Sequence, residues 1–141
     1  MTDAVDAVGD HYSLPLVREL FYGNHRFSDL AALVGAPRTL LTNRLRRMEE
    51  LGIVERRRYS EHPPRDEYLL TRAGRELFPV LMALLDWGKR HVPNDRPAER
   101  MRFKHSCGAA LRTKTVCAHC GEELRYEDLR LERAGRKSRS T

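Results

Sequence analysis

The segment 27–52 constrains the fold most, because it has the spacing of two short helices joined by a tight turn. Apolar residues recur at helical spacing over 27–34, and Gly35 then permits a sharp change of direction. A second helical pattern covers 37–51, with Gly52 just beyond its end. This segment is therefore predicted to form a helix-turn-helix.

A hairpin is predicted directly after this segment. Stretches 53–56 and 67–70 are strand-like, and the residues between them are polar and contain two adjacent prolines. Such a hairpin next to a helix-turn-helix is a wing. The predicted fold class is therefore mainly α with a small β-hairpin wing, a winged helix-turn-helix with a small C-terminal ribbon-like annex.

Helices are also predicted before and after the wing motif. The first covers 13–22, with Ser13 as its cap. Thr71 is predicted to cap a long helix that reaches about residue 91, and Pro79 should bend or restart it. Residues 2–10 are predicted to be a short lead ahead of the first strong helix.

The second helix of the motif has two contrasting faces. Leu41, Leu45 and Met48 lie four and three residues apart and form one stripe predicted to be buried. The opposite face is polar and basic; it carries Arg38, Thr39, Thr42, Asn43, Arg46 and Arg47. The first four are predicted to read bases in a major groove and the last two to contact phosphates. A solvated helix face of the ordinary kind has a similar composition.

Positive charge on the wing supports a nucleic-acid partner. The predicted wing carries four arginines, Arg56, Arg57, Arg58 and Arg65. The whole chain has 26 Lys and Arg against 20 Asp and Glu, a net charge of +6. A polyanion is therefore the expected partner, and double-stranded DNA suits a helix-turn-helix with a basic wing.

The long helix after the wing is predicted to mediate homodimerisation. Its apolar residues fall on more than one stripe, and a domain of this size has little spare core to bury them all. The predicted interface residues are Leu81, Leu84, Leu85 and Trp87. The alternative is that both stripes are buried within one larger core.

Composition divides the chain into four parts. Residues 1–91 are predicted to form the DNA-binding and dimerisation domain. Residues 92–100, with two prolines and several polar residues, are predicted to be a linker. A Cys-rich annex covers 101–131, and a basic tail covers 132–141.

The annex contains all three cysteines of the chain. Cys117 and Cys120 form a C-x-x-C-G turn typical of zinc sites, and Cys107 is also followed by glycine. In a symmetrical ribbon the fourth ligand would fall at Lys104, which cannot serve while protonated, but His105 is one residue away. One structural zinc ion held by His105, Cys107, Cys117 and Cys120 is predicted. A ribbon that has lost its metal and a redox-active Cys117/Cys120 dithiol remain open.

Several of these stretches together resemble the HxlR-type regulators. They are Gly9-Asp10-His11-Tyr12-Ser13, Arg18-Glu19-Leu20, Arg26-Phe27-Ser28-Asp29-Leu30, Leu40-Leu41-Thr42-Asn43-Arg44-Leu45, Gly52-Ile53-Val54-Glu55-Arg56 and the wing Pro63-Pro64-Arg65-Asp66-Glu67-Tyr68-Leu69-Leu70-Thr71. The resemblance covers about residues 5–91, and the extension resembles one found in an actinobacterial-looking subgroup. It implies a winged-helix fold, homodimerisation through terminal helices, and DNA binding at pseudo-palindromic operators. A repressor is the kind of regulator expected.

Some HxlR-type members sense oxidants or electrophiles through a cysteine ahead of the first helix. In this chain no cysteine precedes Cys107, so that mechanism is not carried over. A small-molecule effector is neither predicted nor excluded.

Other classes of function fit the sequence less well. A P-loop, a G-x-G-x-x-G loop and a nucleophile elbow are absent from the sequence, so no enzyme is predicted. One alternative is an RNA- or protein-binding module that uses the annex and tail, and another is a MarR-like regulator opened by a ligand. No run of residues is apolar enough to cross a bilayer and no secretory signal is recognised, so a cytoplasmic location is expected.

Overall fold

The computed structural model describes residues 2–93 and 102–132. In chain order the elements are α1 Thr2–Val8, α2 Ser13–Phe21, α3 Phe27–Val34, α4 Arg38–Glu50, β1 Val54–Glu61, β2 Pro64–Leu70, α5 Arg72–Arg75 and α6 Phe78–His91. One turn of 3-10 helix, Tyr126–Asp128, follows near the end. The two strands pair antiparallel, so the predicted fold class is confirmed.

Contacts divide the chain into two units, 1–111 and 112–141. The division differs from the linker predicted at 92–100, most of which lies outside the described residues, as does the tail beyond residue 132. Phe103 explains the difference. Its ring stacks on Tyr22 at 5.5 Å and meets Phe78 edge-on at 5.0 Å, which ties the start of the predicted annex to the first unit.

Two glycines shape the helix-turn-helix. Gly35 ends α3 with φ of 68°, and Gly52 follows α4 with φ of 69°. Residues with a Cβ avoid this left-handed region, whereas glycine enters it freely. Beyond Gly52 the Ile53 amide donates to the Met48 carbonyl at 2.9 Å, which satisfies a carbonyl at the helix end and directs the chain into the wing.

One core unites α2, α3 and α4 with the base of the wing. Leu16, Val17 and Leu30 are fully buried. Further buried members are Leu20, Ala36, Leu41, Leu45, Met48, Ile53, Val54 and Leu70. The underside of α4 thus packs against α2, α3 and the wing, which leaves its other side for solvent.

Asp10, and not Ser13, caps α2. The Asp10 carboxylate accepts hydrogen bonds from the amides of Tyr12 at 2.9 Å and Ser13 at 3.1 Å, and from the Ser13 hydroxyl. Ser13 is the first helical residue and fully buried. The predicted cap was therefore wrong. A carboxylate three residues before a serine at a helix start is a signal that the sequence does contain.

The wing is longer than predicted. The strands extend inward to Glu61 and Pro64, with a turn at a cis His62-Pro63 bond, and a bulge interrupts the register between Arg58 and Ser60. Cross-strand pairing of charged residues continues the ladder through residues predicted to be a loop, since Arg57 faces Glu67 and Arg58 faces Asp66.

The chain after the wing behaves as predicted. The Thr71 hydroxyl accepts a hydrogen bond from the Gly74 amide at 3.1 Å and so caps α5. The helix restarts at Phe78, which places Pro79 in the first turn of α6, where its missing N–H costs no hydrogen bond. Most of the N-terminal lead forms the helix α1, an element not predicted from the sequence.

Candidate nucleic-acid interface

The two faces of α4 are segregated as predicted. Leu41, Leu45 and Met48 each have no exposed surface. All six predicted contact residues on the other side, Arg38, Thr39, Thr42, Asn43, Arg46 and Arg47, are exposed. The polar side of α4 is thus free of the protein's own interior, which is the condition for reading a groove.

The side chains on this face differ in how many contacts they make within the protein. The Thr42 hydroxyl donates to the Arg38 carbonyl at 2.9 Å, and the Arg38 guanidinium lies 4.9 Å from the centre of the Phe27 ring. Arg47 meets Glu50 at 3.4 Å. Arg46 has no ion pair within residues 2–93 and 102–132, so its charge is the most available to a phosphate.

Asp10 also fixes one side of α4. Its carboxylate lies 3.2 Å from Nη1 of Arg44, a half-buried residue of that helix. Burial by itself raises the pKa of Asp10, but hydrogen bonds from Ser13 and Tyr12 and the charge of Arg44 outweigh it, so the pKa lies below its usual value. The ionised carboxylate therefore links the start of α2 to the recognition helix. Sequence reasoning missed this pair because its partners are distant along the chain.

Most wing arginines are paired with acidic residues. Nη2 of Arg57 lies 2.6 Å from Glu67, and Nε of Arg58 lies 3.2 Å from Asp66. The Asp66 hydrogen bond and charge raise the pKa of the Arg58 guanidinium. Arg56 reaches Asp66 at 3.9 Å, whereas Arg65 has no ion pair in the described part of the chain. The wing is therefore less positive than its arginine count indicates.

The loop before α3 docks the wing onto the helices. The His25 carbonyl accepts a hydrogen bond from the Tyr68 amide at 2.8 Å, and Nδ1 of His25 lies 3.0 Å from the Tyr68 carbonyl. Arg26 places its guanidinium 5.0 Å from the centre of the Tyr59 ring. These contacts orient the wing relative to α4. No sequence spacing indicated them, since they join segments separated by the whole of α3 and α4.

One apolar stripe of α6 remains exposed. Val80, Leu84 and Trp87 are each about half exposed, and their spacing of four and three places them on one face. Leu85 is partly buried. Leu81 is only 3% exposed and packs inside its own chain, so it is unavailable to a partner. The candidate interface therefore consists of Val80, Leu84 and Trp87, with Leu85 at its edge.

Two of the predicted metal ligands lie in one turn of the first unit. The His105 amide donates to the Ala109 carbonyl, and the Gly108 amide donates to the His105 carbonyl at 2.9 Å. Gly108 has φ of 87°. The Cys107 amide lies 3.3 Å from Nδ1 of His105.

The other two predicted ligands lie in a similar turn of the second unit. The Cys117 amide donates to the Glu122 carbonyl, and the Gly121 amide donates to the Cys117 carbonyl, both at 2.8 Å. The backbone of Cys120 and then of His119 donates to the Cys117 sulfur, and these bonds lower the pKa of its thiol. By hydrogen-bond position Cys117 corresponds to His105 of the first turn. Over residues 2–93 and 102–132, three or more His, Cys, Asp or Glu side chains are nowhere grouped to hold a metal, and the zinc site stays a prediction.

In the part of the chain that the structure describes, no helix has the length and apolarity needed to cross a membrane.

Comparison with known proteins places these features in context. The HxlR-like helix-turn-helix family matches residues 7–96. An HTH-type transcriptional regulator of Mycobacterium tuberculosis (strain CDC 1551 / Oshkosh) is 42% identical over 122 residues, which cover 86% of this chain and 77% of the relative. All of these similarities include the helix-turn-helix and the wing described above.

Solved structures show the same similarity. The crystal structure of PA1607, described as a candidate transcription factor, has a TM-score of 0.78 at 33% identity and covers 92% of this chain and 91% of its own. A structure described as a transcriptional regulator of the MarR family, from Enterococcus faecalis V583, has a TM-score of 0.56 at 36% identity, covering 63% and 82%. The fold is thus shared with proteins named as transcription factors or regulators.

Proposed function

The chain belongs to the HxlR-like helix-turn-helix family of transcriptional regulators, and from this premise we propose that it is a repressor that binds pseudo-palindromic duplex DNA as a homodimer. The observation that carries the proposal is the division of α4 into a fully buried leucine side and an exposed polar side. A major groove admits a helix presented in this way.

Some exposed residues of α4 contact DNA bases and others contact the phosphate backbone of the DNA. Thr39 and Asn43 lie in the first turns, where a recognition helix enters deepest, and hydroxyl and amide groups hydrogen-bond base edges. Arg46 is one turn further along, and its guanidinium, which has no ion pair among residues 2–93 and 102–132, suits a phosphate. Arg65 extends the contact from the wing, because it is the wing arginine without an ion pair in the described residues.

Substitution of Asn43 and Arg46 tests this division. We expect Asn43→Ala to change the motif recovered from a random duplex library, since each lost bidentate base contact reduces discrimination by about 1–3 kcal/mol. Arg46→Ala should keep the motif but lower affinity for all duplexes and reduce the slope of log K against log salt by about 1. Library selection followed by salt titration measures both effects.

The matched control is Arg90→Ala, which removes one exposed positive charge from α6, where it pairs with Asp86. This variant should keep both the motif and the salt slope. If Asn43→Ala selected the same motif as the unchanged protein, base readout by Asn43 would be contradicted.

The proposed homodimer forms through the exposed apolar stripe of α6, and two copies of the chain would bind two half-sites. The stripe formed by Val80, Leu84 and Trp87 suits a second copy of the same stripe, because a two-fold interface brings identical surfaces together. Two recognition helices related in this way would read half-sites about one DNA turn, roughly 34 Å, apart.

A structural zinc ion remains a proposal for the annex. The ligand types suit zinc, the similar hydrogen bonding within each turn supports the repeat, and the lowered pKa of Cys117 favours the thiolate form that binds metal. We expect protein purified without chelator to carry about one equivalent of zinc by metal analysis. His105→Ala should lower that content and His119→Ala should not. Less than roughly a tenth of an equivalent in the unchanged protein would contradict the site, since structural zinc survives purification.

A further inference from the structure

An apolar side chain stands in the outward half of the recognition helix. Leu40 lies in the first turn of α4 and is 38% exposed, whereas its neighbour Leu41 has no exposed surface. A helix turns roughly 100° per residue, so Leu40 points to the side of the buried stripe, toward the rim of the polar face. The core is sealed without it.

Leu40 lines an open depression of about 560 Å³ on this surface. The other lining residues are Pro37, Thr39, Asn43, Arg44 and Arg47. The depression therefore combines an apolar floor with the hydrogen-bonding groups of Thr39 and Asn43 and with positive charge from arginine.

This combination selects duplex DNA as the occupant. Positive side chains complement phosphates, and Arg38 and Arg46 add to the charge of the same helix. The apolar feature that a major groove offers is the C5-methyl group of thymine, which contacts apolar side chains. An apolar surface without a charged rim would instead suit another protein.

We propose that Leu40 is a specificity-determining residue that contacts the C5-methyl group of a thymine in each half-site. The inference rests on the proposed function, since it needs α4 to lie in the major groove. In this arrangement Leu40 adds a van der Waals contact to the hydrogen bonds that Thr39 and Asn43 make with base edges. One base of each half-site would then be a thymine.

Replacement of thymine by deoxyuridine tests the contact, because it removes the methyl group and keeps the hydrogen-bonding edge. The probe is a duplex selected from a random library, with its thymines replaced one at a time. We expect one symmetric pair of positions at which replacement weakens binding by about fourfold for one methyl group and about 15-fold for both. For Leu40→Ala the thymine and deoxyuridine duplexes should bind equally at that pair.

Two further variants keep the test independent of folding. Leu40→Met preserves an apolar side chain of similar volume and should retain the thymine preference. Leu51→Ala removes a leucine that is 36% exposed just beyond the other end of α4, and it should also retain the preference.

The possible failures can be told apart. If the unchanged protein selects no motif from the library, the proposed function fails. If a motif is selected but no thymine can be distinguished from deoxyuridine, or if Leu40→Ala keeps the distinction, the Leu40 inference is overturned and the regulator assignment stands. A Leu40→Ala variant with unchanged affinity for the thymine duplex would likewise overturn the inference.

Discussion

Gly74→Ala is expected to destabilise the winged domain by about 3 kcal/mol, because a methyl group has no room at this position. A Cβ on Gly74 would overlap the carbonyl oxygen of Ile53 and would lie 3.0 Å from Cδ2 of Leu70. The obstructing carbonyl belongs to the backbone, so no side-chain rotation relieves the overlap. Relief requires α5 to move away from the base of the wing.

That movement would also disturb the cap of α5. The Thr71 amide donates a hydrogen bond to the Ile53 carbonyl at 3.1 Å. The Thr71 hydroxyl also donates to the Ile53 carbonyl, and it accepts a hydrogen bond from the Gly74 amide. Thermal unfolding followed by circular dichroism should show a melting temperature lower by roughly 10 to 20 °C.

Gly88→Ala is the matched control for this substitution. Gly88 lies within α6, and a Cβ there would meet no atom within 4 Å. The same chemical change should therefore stabilise the protein by about 0.5–1 kcal/mol, since alanine favours a helix over glycine. If Gly74→Ala melted like the unchanged protein, the close approach of α5 to Ile53 would be contradicted.

Leu84→Asp is expected to convert the proposed dimer into monomers and to weaken operator binding by about 100-fold or more, the gain that linking two binding events usually provides. Leu84 is the middle residue of the exposed stripe, between Val80 and Trp87. A carboxylate placed there would have to lose its water in a two-fold interface and would face an identical carboxylate. Sedimentation velocity measures the change in association.

Lys89→Asp is the control for Leu84→Asp. Lys89 is exposed on α6, and the helical period places it on the side opposite to Leu84. It introduces the same side chain but should leave the sedimentation coefficient unchanged. A Leu84→Asp protein that still sedimented like the unchanged protein would contradict an interface through this stripe.

Periodic features of the chain were predictable from the sequence. The buried stripe of Leu41, Leu45 and Met48 followed from spacing alone, because a helix with one buried face repeats apolar residues every three or four positions. The ends of the motif helices followed from Gly35 and Gly52, whose conformations few other residues adopt. The polar face of α4 followed as the complement of the stripe.

Other features depended on which segments meet in three dimensions. The link between Asp10 and Arg44, the docking of Tyr68 onto His25, and the pairing of wing arginines with acidic residues all join residues far apart in the chain. The conformational preferences of short segments do not indicate which distant residues come into contact.

Sequence pattern was enough to predict the order of the elements from α2 onward and the division of the recognition helix into a buried and an exposed side, because both depend on local periodicity and backbone preference. Which exposed groups remain free depended instead on the packing of the folded chain. Packing buries Leu81 and leaves Val80 exposed. Carboxylates pair with Arg57 and Arg58, whereas none pairs with Arg65 in the part of the chain that the structure describes. The core closes without Leu40. Burial and ion pairing depend on neighbours in space, and those neighbours are set only when the whole chain packs.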